Sequence, residues 1–351
     1  MGIGAKPRAY DQAIEKIIDM MHRYEIREGG LNIKFLDRED EAREILGHGR
    51  GVIEDGRITI LYGPKGCGKT TLFTALLDAL NRSKDMSIDS GVEIHYVIRH
   101  EVGGNIIVMS TSKNKGVFDV MVNRIRDLFR GIQINFNPLS PLPMSMISIS
   151  MEISRKGRSL SDSDAITIAM EIVDGIASKG EEGTRHVVVV DGYRLSSDLD
   201  YSSLKGHVEV FYNRLVHIVN KLLSQRGISL AYIITTSDAS IERLMVSGSK
   251  ERYVLIWNLS REAIERLAEN VGVDKELAWK LTGGNPRALI DIKTRGSDNW
   301  IRYVIHVISS GLVITQINHN LENYLDHVRK VDADPDKVAG SRDMFDVLTF
   351  C

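Results

Sequence analysis

Cysteine is scarce in this sequence, which contains only two among 351 residues. Cys67 lies within a glycine-rich stretch and Cys351 is the final residue, so the sequence offers neither a disulfide framework nor a Cys-x-x-Cys pair for zinc. The 10 histidines show no metal-binding spacing either. These absences argue against a disulfide scaffold and against a zinc protein. They predict a reducing compartment, which we expect to be the cytoplasm.

Long apolar runs and a strong charge of one sign are also missing. No stretch approaches the roughly 18 apolar residues of a membrane-spanning helix, and the N-terminus lacks the apolar core of a signal peptide, so no membrane association is predicted. The formal net charge is -2, so nucleic acid would need a local basic patch. No G-x-S-x-G motif occurs, and the segment from His207 to Glu209 lacks the Pro-Cys partner of a zinc deaminase.

The most informative stretch joins an apolar run, residues 58–62, to a G-x-x-x-x-G-K-T motif. This order predicts strand, loop and helix, a geometry in which backbone N–H groups surround a phosphate at the positive end of the helix. Lys69 is expected to reach the β- and γ-phosphates of ATP, and the Thr70 hydroxyl to ligate Mg²⁺. A glycine-rich turn without a ligand is the alternative. The predicted phosphate-contacting residues are Gly63, Pro64, Lys65, Gly66, Cys67, Gly68, Lys69, Thr70 and Thr71.

Four consecutive valines, residues 187–190, end in Asp191. They cannot form an alternating strand, so they predict a strand buried on both faces, as in a parallel sheet covered by helices. An acid at the carboxyl end of such a strand points toward the ligand edge of the sheet. We therefore predict that Asp191 and Thr70 hold Mg²⁺ together. The alternative is an acid that merely ends a strand.

A further buried strand is predicted from Ile228 onward and ends in hydroxyl residues, of which Ser237 or Thr236 is a candidate contact of the γ-phosphate or the attacking water. A simple strand-end cap is the alternative. Strands and helices alternate up to about residue 258, after which only short helices are indicated. The predicted fold is therefore α/β. It consists of a three-layer αβα P-loop core with a parallel sheet, a small all-helical lid and a helical C-terminal segment.

The same patterns predict the domain organisation. Residues 1–30 hold an amphipathic helix with Gly29-Gly30 as its stop, which either packs on its own domain or docks a neighbouring subunit. The core covers 31–258 with an elaborated region near 103–158, the lid covers 259–297, and the C-terminal segment covers 298–351. Near the start of the core, Asp37 is expected to cap a short helix.

One local concentration of basic residues falls in the elaborated region. It would suit nucleic acid, and an ordinary solvated face is the alternative. Its members are Arg124, Arg126, Arg130, Arg155, Lys156 and Arg158.

These motifs resemble the archaeal ATPase family, a branch of the AAA+ superfamily allied to the STAND signalling ATPases and related to Orc/Cdc-type initiators. The resemblance covers about residues 31–297, and its specific part is the ordered set that ends in a glycine-asparagine-proline turn, residues 283–286. It implies that Asp37 and Arg38 lie at the nucleotide base and that Arg287 senses the γ-phosphate. It also implies that Arg252 acts in trans within an assembly, with a plain surface charge as the alternative. The implied catalytic set is Lys69, Asp191, Ser237 and Arg287.

The sequence departs from this family at one informative position. An Asp-Glu pair usually closes the strand, whereas Gly192 follows Asp191 here. The usual base that orients the attacking water is therefore missing. The downstream acids Asp198, Asp200 and Glu209 would have to fold back to replace it, since none is at the end of the strand. We expect a Mg-ATP-dependent switch or assembly module with a protein partner or self-association and weak ATPase activity, in which a glutamate at position 192 would raise turnover. An actively hydrolysing, initiator-like ATPase that remodels DNA or a protein partner stays open.

Overall fold

The fold comes from a computed structural model, which describes residues 6–47, 53, 56–100, 104–112, 114–129, 131–138, 149–155, 159–192, 201–237 and 251–304. In chain order, the helices are α1 (Lys6–Met21), α2 (Glu39–Leu46), α3 (Lys69–Asp85), α4 (Lys115–Leu128), α5 (Asp162–Lys179), α6 (Tyr201–Arg226), α7 (Arg261–Val271), α8 (Lys275–Thr282) and α9 (Pro286–Arg295). The strands are β1 (Glu25–Glu28), β2 (Leu31–Lys34), β3 (Ile58–Tyr62), β4 (Val92–Arg99), β5 (Ile106–Ser110), β6 (Ile132–Pro138), β7 (Ile149–Arg155), β8 (Arg185–Asp191), β9 (Ser229–Thr236) and β10 (Glu251–Leu255).

The larger sheet has eight strands in the order β10-β3-β9-β8-β4-β5-β7-β6. The neighbouring pairs from β3 through β9 and β8 to β4 are parallel. From β4 outward, β5, β7 and β6 pair antiparallel. Apolar residues of α4, α5 and α6 share one core with these strands. The predicted α/β P-loop fold is confirmed, with the refinement that the 103–158 region adds antiparallel strands to one side of the parallel sheet.

The local sequence explains β8 and α5 directly. All seven residues of β8 are buried, as the run of valines indicates. At the start of α5 the Ser161 hydroxyl accepts from the Asp164 N–H, and the Asp164 carboxylate accepts from the Ser161 N–H. At its end, Gly180 N–H bonds to the Ile176 carbonyl. The helix between these caps packs against β4 and β8.

A β-hairpin ahead of the core lies outside the sequence-based predictions. β1 and β2 pair antiparallel around Gly29 and Gly30, whose φ values are +60° and +79°. Positive φ at both central residues is the type I′ geometry that suits a two-residue hairpin turn. The expectation that Gly29-Gly30 only ends the first helix is wrong, because α1 already ends at Met21 and the two glycines turn the chain between strands.

The chain divides into two compact units that interleave along the sequence. Unit 1 comprises Met1–Tyr24, Arg38–Tyr62 and Lys69–Val254, and unit 2 comprises Glu25–Asp37, Gly63–Gly68 and Leu255–Cys351. Unit 1 contains the core beneath the eight-stranded sheet, and in unit 2 β2 shares a second core with α7, α8 and α9. The predicted domain boundaries after residues 30, 258 and 297 stay predictions.

The C-terminal segment is described only at its start. The backbone is helical from residue 297 to residue 304, and residues 305–351 lie outside the described part of the chain. Among the helices that the structure describes, none combines the length and apolar content needed to cross a membrane.

Candidate functional site

Asp191, the last residue of β8, is the buried centre of a hydrogen-bond cluster in unit 1. It is 3% exposed, and its Oδ2 accepts a hydrogen bond from the Thr70 hydroxyl at 2.7 Å. Thr70 is the second residue of α3, and it precedes Asp191 by 121 positions in the chain. The structure thus brings together the two residues that the sequence predicts to hold Mg²⁺.

Two further hydroxyls hold the Asp191 carboxylate. Tyr96 of β4 donates to Oδ2, and Thr235 of β9 donates to Oδ1. The Thr235 hydroxyl also accepts from the Gly192 N–H at 3.0 Å. Burial and the neighbouring negative charge of Asp191 raise the pKa of Tyr96 well above its ordinary value. The phenol therefore stays protonated and remains a donor to the carboxylate.

The donor set of this cluster suits magnesium. Mg²⁺ prefers carboxylate, hydroxyl and water oxygens. A hydroxyl that donates its proton to Asp191 keeps its lone pairs, so Thr70 can ligate a metal ion while it stays bonded to the acid. Thr235 comes from β9, which lies between β3 and β8. The carboxyl ends of neighbouring parallel strands therefore supply both the acid and one of the hydroxyls that orient it.

Helix α3 begins with Lys69, Thr70 and Thr71, and the Thr71 residue is half-buried. Lys69 itself is buried. The first turn of this helix contains no acidic residue, and its amino end carries partial positive charge from the aligned peptide dipoles. A buried lysine at the positive end of a helix favours an anionic ligand such as phosphate.

The preceding residues of the motif, 63–68, pack within unit 2 against the start of α9. The Asn285 side-chain amide donates to the Lys65 carbonyl at 3.0 Å. Gly66 has φ of +89°, and a Cβ added there would lie 2.6 Å from the Arg287 Cβ. Gly66 is therefore required both by its backbone conformation and by the side chain beside it.

A second close approach occurs at Gly63, the first glycine of the motif. A Cβ added to Gly63 would lie 2.0 Å from the Ile256 carbonyl oxygen. Cys67 is buried, and its N–H closes a turn onto the Pro64 carbonyl at 3.2 Å. Gly68 has φ of +103°. The loop backbone is therefore fixed by turns and packing that side chains at its glycines would disturb.

Arg287 lies in the first turn of α9. Asn285 caps this helix, because its side-chain oxygen accepts from the N–H groups of Arg287 and Ala288 at 3.0 and 3.2 Å. The guanidinium lies 3.6 Å from the Glu28 carboxylate of β1, and both side chains are largely exposed. An exposed pair of this kind contributes about 0–1 kcal/mol, so it does not prevent the guanidinium from binding another anion.

Asp37 and Arg38, the predicted contacts of the nucleotide base, have φ values of +67° and +81°. The expectation that Asp37 caps α2 is wrong. The N-cap of α2 is Arg38, which makes no side-chain capping bond, whereas the Asp37 carboxylate accepts from the Ser260 N–H at 3.3 Å. Arg38 is buried, and its guanidinium pairs with Glu41 at 2.7 Å.

The other predicted contacts lie at several places. Ser237 is exposed just beyond β9, and it is Thr235 that contacts Asp191, because its side chain lies on the strand rather than past its end. Arg252 lies half-buried on β10, and Glu209 is exposed on α6. Gly192 has φ of +72°. Asp198 and Asp200 lie outside the described residues.

The basic concentration is only partly described. Arg124 on α4 pairs with Glu171 and with Asp174 of α5, and Asp174 also accepts from Arg214. Arg126 is exposed on α4, and Arg155 is half-buried at the end of β7. Arg130, Lys156 and Arg158 lie outside the described residues. Arg124 is therefore engaged with acids of its own unit, whereas Arg126 faces solvent.

Three residues of these sites were missed by sequence reasoning. Tyr96 and Thr235 contact Asp191, and Glu28 contacts Arg287. The order of strands carried a signal for Thr235, since a buried strand that ends in threonines is expected beside the strand that ends in the acid. Tyr96 meets Asp191 because β4 pairs with β8, and no pattern in the sequence indicated that pairing.

Comparison with known proteins gives a family and distant similarities. Residues 35–292 match the family described as an ATPase domain predominantly from Archaea. The ORC2 protein of Aeropyrum pernix, solved as ADPNP–ADP complexes, is similar over 93% of this chain and 74% of that chain, with 12% identity and a TM-score of 0.36. For Drosophila ORC bound to DNA, the coverages are 92% and 67%, the identity is 10% and the TM-score is 0.32.

A curated relative matches a short segment only. ABC transporter G family member 49 of Oryza sativa subsp. japonica is 55% identical over 40 residues, which are 11% of this chain and 3% of that protein. The chain thus matches a very small part of the length of this relative. The two structural similarities are too distant to assign a function.

Proposed function

Because the chain belongs to the family of ATPase domains found predominantly in Archaea, we propose that it binds Mg-ATP and acts as a nucleotide-dependent switch or assembly module with slow hydrolysis. The observation that carries this proposal is the 2.7 Å hydrogen bond between the Thr70 hydroxyl and Asp191. This bond joins two residues 121 positions apart whose oxygen atoms are suitable ligands for Mg²⁺, and it therefore supports the proposal.

The roles of the remaining residues follow from the chemistry of ATP. Backbone N–H groups of residues 63–71 bind the phosphates, and Lys69 neutralises charge on the β- and γ-phosphates. Thr70 and Asp191 would hold Mg²⁺, which would supply positive charge against the negative phosphates. Arg287 and Ser237 contact the γ-phosphate end, while Asp37 and Arg38 lie at the base. The compartment is the cytoplasm, in keeping with the scarcity of cysteine.

Slow hydrolysis is proposed because Gly192 supplies no group that orients a water molecule. Such positioning commonly contributes on the order of 10²–10⁴ in rate. The hydroxyls around Asp191 donate to the carboxylate, so they offer no strong base. We expect turnover well below the roughly 10 s⁻¹ typical of enzymes.

The expectation that a glutamate at 192 raises turnover needs revision, because φ at Gly192 is +72°. A side chain with a Cβ costs roughly 1–2 kcal/mol in this conformation, and asparagine tolerates it best. We therefore compare Gly192→Asn, which adds an amide, with Gly192→Ala, which imposes similar strain without one. Phosphate release should be faster for Gly192→Asn than for Gly192→Ala, with equal ATP affinities by calorimetry. If the two variants release phosphate at equal rates, the residue at position 192 does not explain slow turnover.

The basic test of the proposal uses the parent protein. Calorimetric titration with ATP should show tight binding that weakens without Mg²⁺, and light scattering should show an assembly state that differs between ATP and ADP. Absence of ATP binding by the folded protein would refute the proposal. A turnover of several per second without a partner would refute its slow-hydrolysis part.

A second candidate function is an actively hydrolysing ATPase that remodels DNA or a protein partner. The exposed Arg126 on α4 favours nucleic acid as that partner, whereas the pairing of Arg124 with Glu171 and Asp174 does not. Phosphate release measured with and without DNA separates the two candidates. Stimulation by DNA that disappears with Arg126→Ala would favour the second.

A further inference from the structure

A second polar cluster lies on the same strand pair as the Asp191 cluster, at the amino ends of the strands. Glu93 and His95 are alternate residues of β4, and Glu93 lies directly opposite His186 of β8 in the parallel register. Alternate residues of one strand share a face, so all three side chains lie on the same side of the sheet. The sequence-based expectation that the histidines form no metal-binding group overlooks this arrangement, because it considers spacing along one stretch of chain.

The atoms of this cluster face one another at short distances. His95 Nε2 lies 3.1 Å from His186 Nδ1, and that same nitrogen lies 3.4 Å from Glu93 Oε2. One ligand atom from each residue lies within 4.8 Å of the other two. Four ligands at about 2.0–2.1 Å from a tetrahedral zinc ion lie about 3.3–3.4 Å from one another. The separation of His186 Nδ1 from Glu93 Oε2 matches an edge of such a tetrahedron, and the separation of the two imidazole nitrogens is slightly shorter.

Two arrangements fit these three atoms. If His186 Nδ1 carries a proton, it can donate to both His95 Nε2 and Glu93 Oε2 in a three-centre hydrogen bond. If Nδ1 carries none, a cation among the three atoms accepts a lone pair from each of them. Uptake of a metal ion distinguishes the two arrangements.

The surroundings prepare the imidazoles for this role. Both imidazole side chains are 1% exposed, so little water competes for their nitrogen atoms. The Ser110 hydroxyl lies 3.0 Å from His95 Nδ1, so it orients the ring with Nε2 toward the cluster.

We propose that Glu93, His95 and His186 bind one divalent ion of the zinc type, with water as the fourth ligand. Two imidazoles and one carboxylate suit Zn²⁺, whereas Mg²⁺ prefers oxygen ligands alone. The ion joins β4 to β8 at the end of the strand pair opposite Asp191, and it stabilises their pairing by linkage. This proposal does not depend on nucleotide binding.

The test uses the full chain without an affinity tag, after treatment with a chelator. Titration with Zn²⁺ against a chromophoric competitor should show one site of micromolar affinity or better, and Zn²⁺ should raise the unfolding temperature. Co²⁺ should give the intense visible absorption of tetrahedral coordination, and excess Mg²⁺ should not displace either ion. A parent protein that binds no Zn²⁺ with micromolar affinity would overturn the proposal.

Variants assign the ligands. His95→Gln and His186→Gln should each weaken Zn²⁺ by roughly 100-fold or more, and Ser110→Ala, which removes only the orienting hydroxyl, by about 10-fold. Glu93→Gln preserves the shape of the side chain at a partly exposed position, so this variant is expected to keep the fold. It should still weaken Zn²⁺ binding, because it removes the carboxylate. His217→Gln, an exposed position on α6, is the control. Zinc affinity equal to that of the parent in Glu93→Gln and both histidine variants would also overturn the proposal.

Discussion

The two ends of the strand pair β4 and β8 carry polar clusters of different chemistry. At the carboxyl end, Asp191 is surrounded by hydroxyls from Thr70, Tyr96 and Thr235. At the amino end, the imidazoles of His95 and His186 meet Glu93. Asp191 and both imidazoles are buried, whereas Thr70 is exposed. The contacts between β4 and β8 in both clusters depend on the parallel register of the two strands.

The difference between the ends lies in the donor atoms. A carboxylate with hydroxyl neighbours selects a hard ion that brings its own water and phosphate ligands, as Mg²⁺ does. Imidazoles with one carboxylate select a borderline ion such as Zn²⁺. At the carboxyl end, Asp191 bonds to Thr70 in the first turn of α3, so the amino end of that helix prepares this end for an anion. One strand pair can therefore support two separate binding sites.

The largest expected effect is that of Lys69→Ala. This change removes the positioned charge on the β- and γ-phosphates, and it should abolish tight ATP binding in calorimetry. The zinc affinity should stay at the parent value, since the amino-end cluster is untouched. Lys280→Ala, at an exposed position on α8, is the control. If the folded Lys69→Ala protein binds ATP as tightly as the parent, the assignment of the carboxyl end as the nucleotide site is wrong.

Asp191→Asn should have the second-largest effect on ATP binding. An amide of equal size supplies no charge for the metal, so the variant should keep some ATP binding but lose the gain in affinity that Mg²⁺ gives the parent. The measurement is ATP titration with and without Mg²⁺, with Zn²⁺ titration as the comparison. If Mg²⁺ still strengthens ATP binding to the same extent, another residue holds the ion.

Arg287→Ala acts outside both clusters, in unit 2. Losing a charge-assisted contact with the γ-phosphate should weaken ATP by about 1.5–3 kcal/mol while affecting ADP much less. Arg295→Ala, an exposed arginine at the end of the same helix, should leave both affinities unchanged. Equal losses for ATP and ADP would show that Arg287 serves only the local packing around Gly66.

The smallest effect is expected for Tyr96→Phe. It removes one hydrogen bond to the Asp191 carboxylate and leaves the ring in place beside Phe73. The change should weaken Mg-ATP by about tenfold, because it affects the orientation of Asp191 rather than its charge. ATP binding without Mg²⁺ should not change, and an equal loss in both conditions would indicate general disturbance of the site.

The parts of the candidate site that are encoded within a few neighbouring residues could be predicted from the sequence. Gly63 to Thr70 encode a turn and a helix start within a few residues, and the valines before Asp191 reveal a strand buried on both sides. The fold class followed from the alternation of such strands with helices. The hairpin of β1 and β2 was a weaker signal, because strands of 4 residues are too short for strong periodicity.

By itself, the sequence determined the α/β class, the glycine-rich turn between β3 and α3, and the position of Asp191 as the acid at a strand end. Only the tertiary structure decided which groups surround that acid and which side chains meet at the other end of the same strands. Thr235, Tyr96 and the Glu93–His186 pair owe their contacts to strand order and register. A shift of one residue in register would turn these side chains to the opposite face of the sheet. Such contacts depend on pairing between distant segments, which no local pattern in the chain specifies.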